Sequence, residues 1–136
     1  MNLDERSEKR LEGVNAALVS VVRRAARDTS VQFIVTEGLR TKERQAQLVA
    51  KGASKTMNSK HLTGRAVDLA AVIDGEVRWD WPLYHKLADA MKQAAKECGV
   101  AIVWGGTWKS LSELPDQFTQ AKLSRSFPDG PHFELL

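Results

Sequence analysis

Hydrophobic positions near the N-terminus recur at helical spacing with charged residues between them. The recurring positions are Leu11, Val14, Ala17, Leu18, Val21 and Val22. This period of about 3.6 residues predicts an amphipathic helix from about Asp4 to Arg27. The next segment, "VQFIVTEG", is rich in β-branched and aromatic residues and ends in Gly38, which predicts a buried strand. The segment "TKERQAQLVAKG" then predicts a short helix with Thr41 as N-cap and Gly52 as terminator.

The middle of the chain changes from a polar, turn-rich segment, "GASKTMNSKHLTG", to the apolar run "AVDLAAVI", which predicts a second strand. The following "DGEVRW" predicts a hairpin turn and a short returning strand. A third helix is expected to begin at Pro82, run to about Cys98 and end at Gly99, ahead of a strand in "VAIVW". We therefore expect Asp68 to lie on a strand.

The C-terminal part begins with "GGTWKSLSELPDQF", whose glycine, proline and serine residues predict a long irregular loop. A short helix at Gln117 to Leu123 and a terminal strand in "GPHFELL" complete the prediction. The resulting order is α-β-α-β-β-α-β-β. It favours an α+β fold, a small single domain over residues 1–136 in which helices pack on one face of a mainly antiparallel sheet.

Composition excludes several classes of protein. The chain has 136 residues, of which 43% are hydrophobic and 27% charged, as in an ordinary globular domain. No apolar run reaches the ~20 residues that span a bilayer, and the charged start "MNLDERSEKR" is unlike a signal peptide, so we expect no membrane insertion and no export signal. The lone Cys98 is interpreted as a core residue of a fold without an internal disulfide.

The formal net charge of +3 mildly favours an anionic partner, whether nucleic acid, a membrane surface or a cell-wall polymer, and the alternative is that the surplus lysine and arginine simply keep the surface soluble. A nucleic-acid-binding domain is the alternative that charge alone suggests. The sequence lacks a recognition motif, and its aromatic residues are not interleaved with arginines as in a stacking platform. We therefore do not expect nucleic acid to be a partner.

Candidate chemistry is concentrated in "SKHLTGRAVDLA", residues 59–70, and in the terminal strand. His61 precedes the strand that carries Asp68, and His132 begins the last strand. Catalytic zinc sites commonly combine three such protein ligands with a water. Thr63 and Gly64 supply the bend that would let His61 and Asp68 share one metal. His85 lies inside the third predicted helix, where a surface or packing role is expected. From spacing alone, the zinc site is only plausible.

The stretch "SKHLTGRAVDLA" resembles the Ser-x-His-x-x-Gly-x-Ala-x-Asp signature of zinc D-alanyl-D-alanine carboxypeptidases and dipeptidases and their phage relatives. Together with "VTEGLRT" upstream and "DGPHFEL" at the C-terminus, the chain is most similar to phage L-alanyl-D-glutamate peptidases. These endolysins cut the stem peptides of peptidoglycan. The resemblance covers almost the whole chain, and three motifs in the same order are far more specific than one short pattern.

The resemblance implies His61, Asp68 and His132 as ligands of Zn²⁺. It makes Asp129 the catalytic carboxylate, which takes a proton from the water that zinc activates and returns it to the leaving amine. Many family members carry glutamate there, whereas the phage-type enzymes use aspartate. The shorter side chain requires a closer backbone, which the stiff sequence around Asp129 could supply. A β-turn with Asp129 capping its own backbone is the alternative.

The resemblance also assigns Arg40 to contact with the substrate carbonyl or a nearby carboxylate, a task that a fixed guanidinium performs well. A surface arginine capping a loop is the competing interpretation. Ser59 would bind the substrate or hold His61. Glu134 alternates onto the same strand face as His132, either as its partner or facing solvent. Trp108 and Trp104 either shape a substrate cleft or pack at its rim.

A hedgehog-like zinc module without activity is the main alternative from another class, because that signalling domain resembles the same peptidase fold and keeps a His-Asp-His zinc set. Asp129 argues against it, since a purely structural zinc site has no use for an extra carboxylate beside the metal. Within the peptidases, a D,D-carboxypeptidase or dipeptidase would share every ligand. The resemblance favours a monomeric phage lysis enzyme, made in the host cytoplasm and released to the wall by a separate permeabilising protein.

Overall fold

Helices and antiparallel strands alternate in the computed structural model, which describes residues 2–54, 57–114 and 128–136. The helices are α1 (Glu5–Arg10), α2 (Ala16–Asp28), α3 (Lys42–Ala50) and α4 (Trp81–Cys98). The strands are β1 (Phe33–Glu37), β2 (Ala66–Ile73), β3 (Glu76–Arg78), β4 (Ile102–Trp104), β5 (Lys109–Ser110) and β6 (His132–Leu135). Two short 3₁₀ turns, Lys60–Thr63 and Leu111–Glu113, precede β2 and follow β5. No helix in these described ranges is long and apolar enough to cross a membrane.

The strands of the described chain form one antiparallel sheet in the order β1-β2-β6-β4-β5. Strand β2 pairs along one edge with β1, and along the other with β6 at its start and β3 at its end. In the β2–β6 pair, Asp68 lies directly opposite His132. The register therefore brings two of the candidate ligands side by side.

The hydrophobic core lies between the sheet and the two long helices, α2 and α4. Their apolar faces contribute Leu18, Val21, Val22, Leu87, Ala88 and Met91, all fully buried. From the sheet, Val35, Val67, Leu69, Ile102, Trp104 and Phe133 complete the same cluster. Burial of this apolar surface is the main favourable term in folding. The arrangement confirms the predicted α+β class with a mainly antiparallel sheet.

The prediction of one continuous N-terminal helix is wrong, because the chain breaks between α1 and α2. Helix α1 ends at Arg10, and Gly13 then has φ of +81°, a left-handed conformation that a continuous right-handed helix does not contain. The Asn15 side chain accepts a hydrogen bond from the Ala17 N–H as the N-cap of α2. The break also has a packing role. The N–H of Asn15 donates to the Gly64 carbonyl at 2.8 Å, so the loop between the helices contacts the bend that precedes β2.

The other helix caps, helix ends and turns that the sequence predicted agree with the structure. Thr41 caps α3 through Arg44 N–H, and Gly99 ends α4 in the left-handed conformation with φ of +67°. Helix α4 begins at Trp81, one residue before Pro82. Asp74 and Gly75, with φ of +52° and +80°, form the two-residue turn between β2 and β3. His85 is a buried residue of α4, as the packing role predicted, and its Nδ1 lies 2.9 Å from the Trp81 carbonyl oxygen.

Two further expectations need correction. The segment after β4 is only partly irregular, since Lys109 and Ser110 pair with β4 as β5 before the second 3₁₀ turn. Cys98 is exposed, not part of the core, because it occupies the last position of α4. The helix expected at Gln117 to Leu123 lies outside the described residues.

Candidate metal centre

The first candidate ligand, His61, is carried by the 3₁₀ turn before β2 and is almost fully buried. Its Nδ1 lies 2.8 Å from the carbonyl oxygen of Gly38. A carbonyl only accepts hydrogen bonds, so Nδ1 carries a proton and donates it to Gly38. The other nitrogen, Nε2, lies 3.2 Å from Oδ1 of Asp68. The Gly38 carbonyl therefore leaves Nε2 as the ring nitrogen that faces the other candidate ligands.

The bend between His61 and Asp68 is made by Gly64, as the sequence predicted. Gly64 ends the 3₁₀ turn with φ of +70°. A Cβ at this position would lie 2.4 Å from the carbonyl oxygen of Gly13, so a side chain would collide with backbone. The conformation and the close approach both require glycine.

The third candidate ligand, His132, lies beside Asp68 on β6, with its Nδ1 3.3 Å from Oδ1 of Asp68. Its other nitrogen, Nε2, lies 2.8 Å from Oε1 of Glu134, two residues along on the same strand face. Because a carboxylate accepts, Nε2 donates to Glu134 and Nδ1 faces the other candidate ligands. Glu134 is also paired with Lys60 at 2.9 Å.

One ligand atom from each of His61, Asp68 and His132 lies within 4.8 Å of the other two. A metal could therefore bind all three at once. Two imidazole nitrogens and a carboxylate oxygen form a donor set that suits a borderline-soft divalent ion. The structure thus brings together the three residues that the sequence singled out, although they lie up to 71 positions apart in the chain.

The electrostatics of this group favour a charged carboxylate. Burial opposes ionisation of Asp68, but hydrogen bonds from His132 and His61, and their charges, hold the pKa of Asp68 well below its usual range. Burial likewise opposes the charge of His132, yet its hydrogen bonds to Asp68 and Glu134 raise the pKa of His132 to about 9. Asp68 and Glu134 together thus provide negative charge that a cation at this position would neutralise.

Asp129 lies on the loop before β6 and is tied to the β4–β5 turn. Its N–H donates to the Gly105 carbonyl at 2.9 Å, while the Gly105 N–H donates to the His132 carbonyl at 2.8 Å. A Cβ at Gly105 would come within 2.3 Å of the Asp129 carbonyl oxygen, so glycine permits this approach. Burial and the charge of Asp68 raise the pKa of Asp129, while the charges of His132, His61 and Arg40 act in the opposite direction.

Arg40 is buried at the Asp68 side of the group, which excludes the interpretation as an ordinary surface arginine. Its Nε and Nη2 donate to the two carboxylate oxygens of Glu37 at 2.7 and 2.9 Å, and Nη1 donates to Gln45 Oε1 at 2.7 Å. Nη2 also lies 3.5 Å from Oδ2 of Asp68. The guanidinium is therefore held in one orientation, with its positive charge beside a candidate ligand.

Ser59 contacts the same region through the turn that carries His61. Its side-chain oxygen accepts a hydrogen bond from the His61 N–H at 3.2 Å as the N-cap of the 3₁₀ turn. This contact corresponds to the role of holding His61.

Some residues that support the group were not identified from the sequence. Gln45 is fully buried on α3 and joins Arg40 to Ser54, to which its Nε2 donates at 2.8 Å. No spacing or motif marks this contact. The contact of Glu134 with His132 follows from strand alternation, which the sequence did indicate. Trp104 is fully buried and donates through its indole N–H to the Gly130 carbonyl at 2.8 Å, so its role is structural.

Comparison with known proteins identifies the same family by sequence and by structure. The family model described as phage L-alanyl-D-glutamate peptidase matches residues 1–136. The L-alanyl-D-glutamate peptidase of Escherichia phage T5 is 34% identical over 134 residues, which cover 96% of this chain and 94% of that protein. The enzyme of the same name from Listeria phage A118 is 36% identical over 85 residues, 62% of this chain but only 29% of that longer protein.

A solved structure gives the same result. The crystal structure of the Serratia marcescens L-Ala D-Glu endopeptidase ChiX superimposes with a TM-score of 0.83 at 41% sequence identity, covering all of this chain and 90% of that one. A sequence match over the full length and a fold match at this identity agree with each other. The chain belongs to the phage L-alanyl-D-glutamate peptidase family.

Proposed function

We propose that this protein is a zinc-dependent endopeptidase that hydrolyses the L-alanyl-D-glutamate bond of peptidoglycan stem peptides, as a phage-type endolysin. The observation that supports the proposal most strongly is the convergence of His61, Asp68 and His132 within 4.8 Å, in a chain of this peptidase family. Residues 1–136 would then form a single zinc peptidase domain.

The hydrogen bonds of the two histidines support zinc as the metal. Zinc binds an imidazole nitrogen that has lost its proton, and in each ring the other nitrogen donates its N–H to an oxygen, His61 to Gly38 and His132 to Glu134. Nε2 of His61, Nδ1 of His132 and a carboxylate oxygen of Asp68 would hold the ion. Three protein ligands leave a position open, as in catalytic sites. When bound, zinc supplies a Lewis acid for the scissile carbonyl and lowers the pKa of a coordinated water.

Asp129 is the proposed general base. Its backbone is anchored to Gly105, whose N–H also donates to the carbonyl of the ligand His132, so Asp129 is held next to the group. It accepts a proton from the attacking water and returns that proton to the leaving amine. The raised pKa of Asp129, caused by burial and by the charge of Asp68, suits a group that must both take and give a proton.

Arg40 is proposed to contact an oxygen of the substrate, either the carbonyl oxygen of the scissile bond or the carboxylate of D-glutamate next to it. A guanidinium has five N–H donors, and Glu37 and Gln45 engage three of them. Nη2 also lies 3.5 Å from Oδ2 of Asp68, and within the described residues the second N–H of Nη1 has no hydrogen bond, so we expect it to donate to substrate. Because the side chain is already fixed, little conformational entropy is lost when it donates to substrate. Ser59 is proposed to bind substrate through its hydroxyl hydrogen, since its oxygen accepts from His61.

The proposed partner is the peptidoglycan of the host wall. The protein would act as a monomer, without nucleic acid or stable membrane insertion. It would be made in the host cytoplasm and reach the wall after a separate protein permeabilises the membrane. The net charge of +3 would add a weak attraction to anionic envelope polymers.

The test is incubation of zinc-loaded protein with peptidoglycan stem peptides and identification of the fragments by mass spectrometry. Chelator-treated protein and Asp129→Ala serve as controls that remove the metal and the base separately. Metal-dependent cleavage between L-alanine and D-glutamate is the expected result. Release of a terminal D-alanine would instead assign a D,D-carboxypeptidase. Absence of cleavage by protein with one bound zinc would refute the proposal in favour of an inactive zinc module.

A further inference from the structure

Trp108 has an unfavourable backbone conformation at the last position of the turn between β4 and β5. Its φ is +54°, and among the described residues only Asp74 shares a positive φ without being glycine. Glycine or asparagine is the usual residue at such a position, because a bulky L side chain is strained there. A tryptophan at a strained position beside a candidate active site calls for an explanation other than turn formation.

The turn around Trp108 is tightly fixed. The Trp108 N–H donates to the Trp104 carbonyl at 2.7 Å. A Cβ at Gly106 would come within 2.5 Å of the Trp104 ring, so the turn folds directly over that buried indole. The backbone hydrogen bonds of Gly105 join the same turn to Asp129 and His132. Trp108 is therefore held at a defined position relative to the metal ligands.

The indole of Trp108 lies against one ligand and is also partly open to solvent. Its ring centroid is 5.4 Å from that of His132, with the two planes tilted by 48°. The residue is 38% exposed, whereas Trp104 is fully buried. Such an aromatic face offers a large, rigid apolar surface at a low cost in conformational entropy. The indole thus presents solvent-exposed apolar surface next to a candidate metal ligand.

The two sides of the substrate differ in polarity. On the leaving-amine side of the scissile bond, D-glutamate carries a carboxylate next to the amide. A cation on the protein would bind this carboxylate. Toward the acyl side lie the methyl group of L-alanine and the lactyl group that joins it to muramic acid, which are largely apolar. The described group has a matching asymmetry, because the Arg40 guanidinium lies beside Asp68 whereas Trp108 lies beside His132.

We propose that the exposed face of Trp108 forms the apolar wall of the subsite for the acyl side of the scissile bond, where it packs against L-alanine and the muramoyl lactyl group. This inference rests on the proposed function and goes beyond it by assigning a specificity-determining residue. The strained turn is then the means by which an indole is presented to substrate, and the contact with His132 sets the position of the wall relative to the metal.

The test compares two substrates that carry the same charge and differ only on the acyl side, an N-acetylmuramoyl stem peptide and the same peptide carrying a plain N-acetyl group. The ratio of their kcat/KM values is measured on each protein preparation. Incomplete folding or zinc loading cancels in this ratio, since both substrates meet the same active fraction. The wild type is expected to prefer the muramoyl substrate, and Trp108→Ala should reduce that preference about tenfold, a typical effect of one lost apolar contact.

Two further variants sharpen the result. Trp108→Phe keeps an aromatic face and should keep most of the preference. Val77→Ala is the matched control, because Val77 is also an exposed apolar residue but lies on β3, opposite Val72 and away from Asp68. It should leave the ratio unchanged. An equal ratio in wild type and Trp108→Ala, or no muramoyl preference in the wild type, would overturn the inference while leaving the peptidase activity established. Failure of the zinc-loaded wild type to cleave either substrate would refute the proposed function itself.

Discussion

Glu134 offers the sharpest test of how the metal group is held, because it connects His132 to Lys60. Its Oε1 accepts from Nε2 of His132 at 2.8 Å, and its Oε2 lies 2.9 Å from the Lys60 ammonium. Burial opposes the charge of Glu134, but hydrogen bonds from these two neighbours outweigh burial and lower its pKa. The substitution Glu134→Gln keeps the length of the side chain and one oxygen that can accept from His132. It removes the negative charge.

The expected effect is on metal affinity more than on folding. Loss of an outer partner of a ligating histidine commonly weakens metal binding by about 10- to 100-fold. Because glutamine retains the hydrogen bond, we expect about a tenfold rise in the zinc Kd, which corresponds to ~1.4 kcal/mol. The ion pair with Lys60 is partly exposed, with side-chain exposures of 35% for Lys60 and 17% for Glu134. Its loss should therefore cost at most ~1 kcal/mol in the free energy of unfolding.

The assay is competition for zinc against a chromogenic chelator, alongside denaturant unfolding of the metal-free proteins. Lys60→Met is the control, because it leaves the contact between Glu134 and His132 but removes the ion pair, together with the hydrogen bond from Lys60 to the Leu135 carbonyl at 2.6 Å. It should lower the free energy of unfolding by at least as much as Glu134→Gln while changing the zinc Kd much less. Unchanged zinc affinity in Glu134→Gln, or an equal loss in both variants, would refute the reasoning that Glu134 acts through His132.

Three further predictions follow from the same contacts. Asp129→Ala should keep its zinc content and its fold but lose turnover by about 10²- to 10⁴-fold, the usual contribution of a general base, as measured by kcat on a stem peptide. Alanine at His61, Asp68 or His132 should instead lower the zinc content itself, measured by metal analysis after dialysis. Tyr84→Phe should leave the free energy of unfolding unchanged or raise it by up to ~1 kcal/mol, because the Tyr84 hydroxyl is buried without a hydrogen-bond partner among the described residues.

Each of these three predictions would be contradicted by a specific result. Full turnover in Asp129→Ala would exclude Asp129 as the base, and wild-type zinc content in all three ligand variants would exclude the metal site. A clear loss of stability in Tyr84→Phe would show that its hydroxyl makes a stabilising contact in solution.

The sequence predicted those parts of the fold whose pattern is local. Strand β2 was evident from seven apolar or small residues interrupted only by Asp68, and α4 from its period and from Gly99. The helix break at Gly13 was missed because the apolar period continues across it, and the contact of Asn15 with Gly64 that accompanies the break is tertiary. Strand β5 was missed because two residues carry too little pattern to be distinguished from a loop.

The candidate site likewise has parts that the sequence predicted and parts that only the fold reveals. Its candidate ligands were apparent from a motif, and the geometry then showed that His61, Asp68 and His132 can share one metal. The anchoring of Arg40 by Gln45 has no counterpart in the sequence, since it joins a loop residue to a buried helix position five residues later. A side-chain contact of this kind leaves neither periodicity nor a turn signature, so only the fold reveals it.

The supporting contacts explain how this site can be prepared for a metal before the metal binds. The Gly38 carbonyl holds Nδ1 of His61, and Glu134 holds Nε2 of His132, so that the other nitrogen of each ring faces Asp68. Asp68 is placed opposite His132 by the pairing of β2 with β6. These constraints come from separate parts of the chain, and the hydrophobic cluster between α2, α4 and the sheet holds them together. Because this cluster does not include the ligands, the fold can position them without drawing on metal binding for its stability, unlike a small zinc finger.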